Sequence, residues 1–280
     1  MPSITYWYFT GAAIVLWATL ALLVSQLNHV PAFLLLAVAL LVGGSLSLFQ
    51  RRAWQFEWRT LLLGLGGIFG YHFLLIMALR LSNPVEANLI NYLWPLLIVL
   101  LSPVFFSDFR LTVRHLLGGL LGFIGVFLLI ASDTALSLDS QNGLGYLLAL
   151  AAAFTWAVYS LLSKRMTGLS TATIGLFCLL SGAMALVCHF VFETRVSLVV
   201  NDWLFLLGLG LGPMGLAFYA WDAGLKRGDP RVIGTLSYLT PLLSTLLLLG
   251  FGDNLFEIHL LIALCLIVGG AFISSYRWPR

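Results

Sequence analysis

Apolar runs separated by short polar or proline-bearing breaks extend along the whole chain. They predict spans at 5–25, 30–49, 60–79, 84–105, 115–131, 143–163, 171–192, 203–225, 231–250 and 259–276. Most are close to 20 residues, the length a helix needs to cross a hydrocarbon core of about 30 Å. A helix satisfies its own backbone hydrogen bonds in that medium, and the alternating strands of a β-barrel are nowhere visible. The expected fold class is an all-α polytopic membrane protein with ten transmembrane helices.

Composition agrees: of 280 residues, 61% are hydrophobic and 9% charged, against roughly 45–50% apolar in soluble domains. That balance excludes both a soluble fold and a disordered chain. The net charge of +3 is too small and scattered for the basic stripe of a nucleic-acid partner. The N-terminal stretch lacks the basic leader of a secretory signal, so 5–25 is expected to be a retained first helix. Cys178, Cys188 and Cys265 all fall in apolar runs, without metal-ligand spacing, and read as small core hydrophobes.

Ten spans put both termini on one side of the membrane. On that side lie Arg51, Arg52, Arg59, Arg110, Arg114, Lys164, Arg165, Lys226, Arg227, Arg231, Arg277 and Arg280, whereas the other has only Arg80 and Arg195. The opposite loops carry Asp133, Asp139, Asp253 and Glu257 instead. The positive-inside rule therefore predicts a multi-pass protein of the cytoplasmic (inner) membrane with both termini in the cytoplasm.

An internal repeat emerges when residues 78–97 are laid on 224–243, an offset of 146. Pro84 meets Pro230, Tyr92 meets Tyr238, and Pro95 meets Pro241, while Trp17-Ala18 and Trp156-Ala157 occupy matching places in spans one and six. The expected organisation is a five-plus-five duplication, 1–137 and 138–280, within one membrane unit. With five spans per copy, the second must enter the membrane from the opposite side. Inverted repeats of this kind are an architecture of secondary transporters.

The Trp-Ala pairs, the run NPVEANLINYLWPLL at 83–97 and the run DPRVIGTLSYLTPLL at 229–243 resemble the drug/metabolite transporter superfamily and its ten-helix EamA-type exporters. The string Asn91-Tyr92-Leu93-Trp94-Pro95 and the pair Tyr71-His72 are similar to the branch that exports aromatic amino acids. The resemblance implies alternating access around a central cavity, with small-molecule amino acids exported. It also implies a place for Tyr71, His72 and Trp94 at the site.

Polar groups within spans point to where such a cavity would lie, because unpaired ones are costly in hydrocarbon. Asn88, Asn91, Tyr92 and Pro95 share one face of span four at i, i+3, i+4 and i+7. They could hold a polar headgroup, or serve as glue between helices. Trp156, Tyr159, Ser160 and Ser163 make a similar stripe in span six, and Trp17 with Thr10 and Ser25 another in span one. Trp17 and Trp156 lie near mid-span, where they could wall a cavity. Tyr6, Trp7, Tyr8, Trp54, Trp58, Trp203 and Trp278 fit an interfacial belt better. Tyr238 is a candidate as the repeat image of Tyr92.

Of the remaining ionisable groups, Glu86 suits a helix N-terminus, and Asp222 could pair with Lys226 at i+4 or contribute to an inner gate with Tyr219. His189 is expected to be structural; His29, His115 and His259 read as loop or interface residues. Three GxxxG pairs, Gly66/Gly70, Gly118/Gly122 and Gly208/Gly212, predict close helix contacts or a smooth sliding surface.

A neighbouring reading, a proton-coupled exporter of lipophilic cations, would want a carboxylate deep in span one, which has none. An integral-membrane enzyme is disfavoured for want of HExxH, DDxxD, GxSxG or a Cys/His cluster. No cofactor or metal is expected. The short outer loops suggest a monomer in the lipid bilayer.

Overall fold

The computed structural model describes residues 5–131, 140–166, 168–250 and 258–275. Its described residues form helices and connecting turns, with no strand. The ten apolar helices are α1 (Thr5–Ser25), α2 (Ala32–Ser45), α3 (Trp58–Leu81), α4 (Pro84–Phe105), α5 (Val113–Ala131), α6 (Gly143–Arg165), α7 (Thr173–Phe192), α8 (Val200–Arg227), α9 (Pro230–Gly250) and α10 (Ile258–Ser275). Among the described residues, nine are long and apolar enough to cross a membrane, and α2 is the shorter one. Asp133, Asp139, Asp253, Glu257, Arg277, Trp278 and Arg280 lie outside the described residues, as does the boundary between 137 and 138.

Helix α2 stops at Ser45, short of the expected 49, because its end is drawn into side-chain hydrogen bonds. The Ser45 and Ser47 hydroxyls donate to the carbonyls of Val42 and Gly44 at 2.7 and 3.1 Å. The chain then tightens into a 3₁₀ turn at Leu48–Ala53. Gly43 and Gly44 let α2 lie with its backbone against α8 and α7, where a Cβ would meet Met214 O at 2.6 Å and Gly175 O at 2.7 Å.

Irregularities recur at the repeat spacing. In α4 the helix runs Pro84–Asn91 and restarts at Trp94; in α9 it runs Pro230–Leu236 and restarts at Leu239. The cause is Pro95 and Pro241, which lack an N–H and clash with the carbonyl four residues back, at Asn91 and Ser237. The side chains of Asn83 and Asp229 cap the two starts, each accepting at 2.9 Å from the backbone N–H two residues on. Helices α3 and α8 each contain a π-helical turn, at Gly66–Gly70 and Gly212–Leu216, again 146 residues apart.

Packing follows the same pairing. Helix α2 lies against α7 and α5 against α10; α3 packs on α6 as α8 packs on α1, and α4 packs on α6 as α9 packs on α1. Of the three GxxxG pairs only Gly118/Gly122 makes a tight seam. A Cβ on Gly118 would meet Gly270 O at 2.6 Å, and one on Gly122 would collide with the Tyr238 ring. A Cβ on Gly66 or Gly70 would meet no other helix, and one on Gly208 or Gly212 would make only ordinary contact with Leu23 or Leu16 of α1, at 3.6 or 3.9 Å; three of the four belong to the π turns. Cys178 and Cys188 are buried, whereas Cys265 is exposed on α10.

Polar ties hold the helix ends. At the end shared by Leu81 and Pro84, the buried Glu193 carboxylate accepts from the backbone N–H groups of Phe33 and Leu34 at 3.0–3.2 Å. It also pairs with His189 at 3.0 Å and with Arg80. At the opposite, basic end, Asp222 accepts from Ser163 (2.6 Å), Thr171 (2.7 Å) and Lys226 (2.6 Å). The expected i, i+4 pair of Asp222 and Lys226 is therefore present. Glu86 is fully buried and accepts from Tyr146 across to α6. His29 pairs with Asp202 at 3.1 Å. His115, expected in a loop or at the interface, is instead buried in the first turn of α5, where Thr112 bonds its ring at 2.7 Å.

Candidate functional site

A cavity of about 170 Å³ lies at the centre of the helices. That is well above the roughly 10–15 Å³ that a single water needs, and on the scale of one small solute. Helices α1, α3, α4, α6, α8 and α9 line it. The lining is displaced toward one end: Leu20 and Ala21 approach the Ser25 end of α1, Leu75 the Leu81 end of α3, Asn88 the Pro84 end of α4, and Ser244 the Gly250 end of α9. All of these ends lie opposite the basic one.

On the basic side the cavity rests on packed rings. Trp17 lies 5.1–6.2 Å, centroid to centroid, from Trp94, Trp156, Phe218 and Trp221, mostly edge-on as quadrupoles prefer. Two indole N–H groups fix the cluster: Trp17 Nε1 donates to Pro213 O in the π turn of α8 at 3.1 Å, and Trp221 Nε1 to Ser160 Oγ at 3.1 Å. Tyr71 leans on Trp156 at 5.1 Å. Beneath these rings come the Asp222 ties and Lys164, whose Nζ donates to Leu225 O and Gly228 O at 2.6 and 2.8 Å.

The polar groups of the wall are sparse and neutral. His72 Nδ1 lies 2.7 Å from Ile68 O; a carbonyl only accepts, so Nδ1 carries a proton and Nε2 of the neutral ring is left as an acceptor. Asn91 Nδ2 donates to Tyr71 Oη at a long 3.3 Å. Its Oδ1 and the Thr240 hydroxyl are buried without a hydrogen-bond partner. An unsatisfied buried polar atom costs about 1–3 kcal/mol, and both residues that carry one line this small space. Among the described residues, no carboxylate lines it.

Eight sequence-predicted residues come together here: Trp17, Tyr71, His72, Asn88, Asn91, Tyr92, Trp94 and Trp156. Tyr159 and Tyr238 do not line the cavity. Tyr159 packs behind Trp156 and fills the hollow over Gly67 on α3. Tyr238 turns into the pocket left by Gly122 on α5 and is fully buried there. Sequence reasoning missed Phe218 and Thr240 on the second half. They lie 146 residues after His72 and Trp94, so applying the repeat offset to the chosen residues would have found them. Pro213, Met214 and Ser244 carry no comparable signal.

Comparison with known proteins adds the lineage. The EamA-like transporter family matches the chain twice, over residues 4–131 and 143–276. The chain is 44% identical over 271 residues to the aromatic amino acid exporter YddG of Ancylobacter novellus, covering 94% of each. It is 30% identical over 177 residues to the exporter of the same name from Escherichia coli, covering 58% of this chain and 57% of that one. A solved crystal structure superposes with a TM-score of 0.94 at 41% identity, covering 98% of this chain and 97% of the other. With two family matches spanning nearly all of its ten apolar helices, the chain is a member of the EamA-like transporter family.

Proposed function

We propose that this transporter exports amino acids, aromatic ones included, across the cytoplasmic membrane through the central cavity. The observation that carries the reading is the pairing of an aromatic wall with the unpartnered Asn91 Oδ1 and Thr240 Oγ1 in a space of about 170 Å³. An amino acid supplies an ammonium for Asn91 Oδ1 and His72 Nε2, and a carboxylate for the Thr240 hydroxyl. Its aromatic side chain meets the indoles edge-on, for about 0.5–1.5 kcal/mol per pair beyond burial. The relatives named as aromatic amino acid exporters support the substrate class.

In this reading the two halves are inverted repeats and the termini lie in the cytoplasm, as the basic loops suggest. The cavity then faces outward, with the ring cluster and the Asp222 ties closing the cytoplasmic side. Rocking about the π turns and the broken helices α4 and α9 would exchange this state for an inward-facing one. The protein works as a monomer and needs no covalent chemistry.

The aromatic wall gives one reason to keep lipophilic cations as a second substrate class, since indoles attract cations; the absence of a carboxylate from the lining weighs against it. Fluorescence titration of the purified protein, exciting its indoles, tests the choice. Saturable quenching by phenylalanine, reduced in Trp156→Phe, is expected. Saturation by a lipophilic cation with no response to phenylalanine would overturn the assignment.

A further inference from the structure

A second cavity, of about 370 Å³, lies at the basic end and has no part in the amino-acid site. It is formed where the start of α1, the turn before α5, and the ends of α6, α8 and α10 converge. Arg114, Lys164 and Arg227 line it, against a single lining carboxylate, Asp229. That carboxylate, the one lining the cavity among the described residues, is engaged by Arg231, with Nε to Oδ1 at 2.9 Å and Nη2 to Oδ2 at 2.6 Å.

Lys164 and Arg227 have no carboxylate partner among the described residues. Lys164 gives two of its three donors to the carbonyls of Leu225 and Gly228 and lies over the Phe106 and Phe109 rings at 5.8 and 5.7 Å. Arg227 donates to Ala223 O at 2.8 Å and stacks over Phe9 at 4.9 Å. Carbonyls and ring faces orient these cations without neutralising them. A separate observation concerns Ser274, which also lines the cavity: its side chain is fully buried and its Oγ has no hydrogen-bond partner.

We infer that this cavity is a binding site for a phosphate-bearing anion, held by Arg114, Lys164 and Arg227 with the Ser274 hydroxyl as a neutral donor. Guanidinium forks and an ammonium suit phosphate oxygens, which accept several short charge-assisted bonds. Two sources present that chemistry at this depth. One is the headgroup of an anionic lipid, for which basic pockets at the cytoplasmic ends of helices are suited; the other is free phosphate.

The test uses the whole protein in phosphatidylcholine nanodiscs and follows its melting temperature. One arm adds increasing phosphatidylglycerol; the other adds inorganic phosphate against chloride at matched ionic strength. Stabilisation by phosphatidylglycerol alone identifies the lipid source, and stabilisation by inorganic phosphate the soluble one. Each cation removed should weaken the response about fivefold, so Arg114→Gln with Arg227→Gln should need about 25-fold more anion. Arg227 is exposed, so Arg227→Gln alone, with about a fivefold effect, serves should the double variant fold poorly. Arg51→Gln with Arg52→Gln, exposed at the same end, is the surface control. No stabilisation in either arm, an unchanged response in the Arg227 variants, or an equal loss in the surface control would overturn the site.

Discussion

Replacing Asn91 with leucine should move stability and binding in opposite directions. Asn91 is 4% exposed, with Oδ1 unpartnered and Nδ2 at the long distance of 3.3 Å from Tyr71. Asn91→Leu, similar in volume, removes a buried unsatisfied acceptor worth about 1–3 kcal/mol and forfeits one neutral hydrogen bond worth about 0.5–1.5 kcal/mol. The ligand-free protein should therefore melt no lower than wild type. Binding should lose the hydrogen bond to the ligand ammonium, about 1.5–3 kcal/mol for a charged partner, or roughly 10- to 150-fold in affinity. Melting in detergent and phenylalanine titration by indole fluorescence read the two effects on one preparation. A variant that melts several degrees lower yet keeps its affinity would show that Asn91 holds helices together and would refute the reasoning.

The α5–α10 seam predicts that Gly118→Ala, whose Cβ would meet Gly270 O at 2.6 Å, costs about 1–3 kcal/mol by overpacking. Gly269→Ala, which meets nothing within 4 Å, should be neutral or gain up to about 1 kcal/mol of helix propensity; urea or thermal unfolding ranks the pair. Glu193→Ala strips partners from α2, α3 and α7 at once and should cost about 3–5 kcal/mol. Arg80→Ala should cost less, because the carboxylate keeps His189 and two backbone N–H groups; the reverse order of melting temperatures would contradict this account of the tie. Burial would raise the Asp229 carboxyl, but its hydrogen bonds and ion pair with Arg231 outweigh that and hold it below the usual range. A depressed folded-state value stabilises above the unfolded-state pKa of about 3.9 and is lost as pH falls through the lower one. Asp229→Asn should thus melt lower than wild type at neutral pH, with the gap closing in acid.

The hydropathy pattern located all ten helices, because lipid demands continuous apolar runs whose length it also sets. The breaks in α4 and α9 fall at the paired prolines, since a missing N–H acts through local geometry alone. What escaped was decided by partners distant in sequence. The early end of α2 depends on Ser45 and Ser47 competing for carbonyls and on contacts with α7 and α8. Tyr238 leaves the cavity because Gly122, on another helix, offers it a hollow, whereas its repeat image Tyr92 stays in the wall. The glycines of α3 and α8 looked like packing surfaces, but an i, i+4 spacing does not distinguish a tight seam from a π turn. Glu193 could not be joined to Phe33 from sequence, with 160 residues between them.

Counterflow into proteoliposomes tests the central claim most directly. Vesicles holding purified protein are loaded with unlabelled phenylalanine, tryptophan, alanine or a lipophilic cation, and uptake of labelled phenylalanine is followed for wild type, Trp17→Ala and Trp156→Ala. The account predicts accumulation driven by the amino acids and weakened by both substitutions in protein that remains folded. No accumulation from folded wild-type protein loaded with amino acids, with exchange of the cation instead, would contradict it.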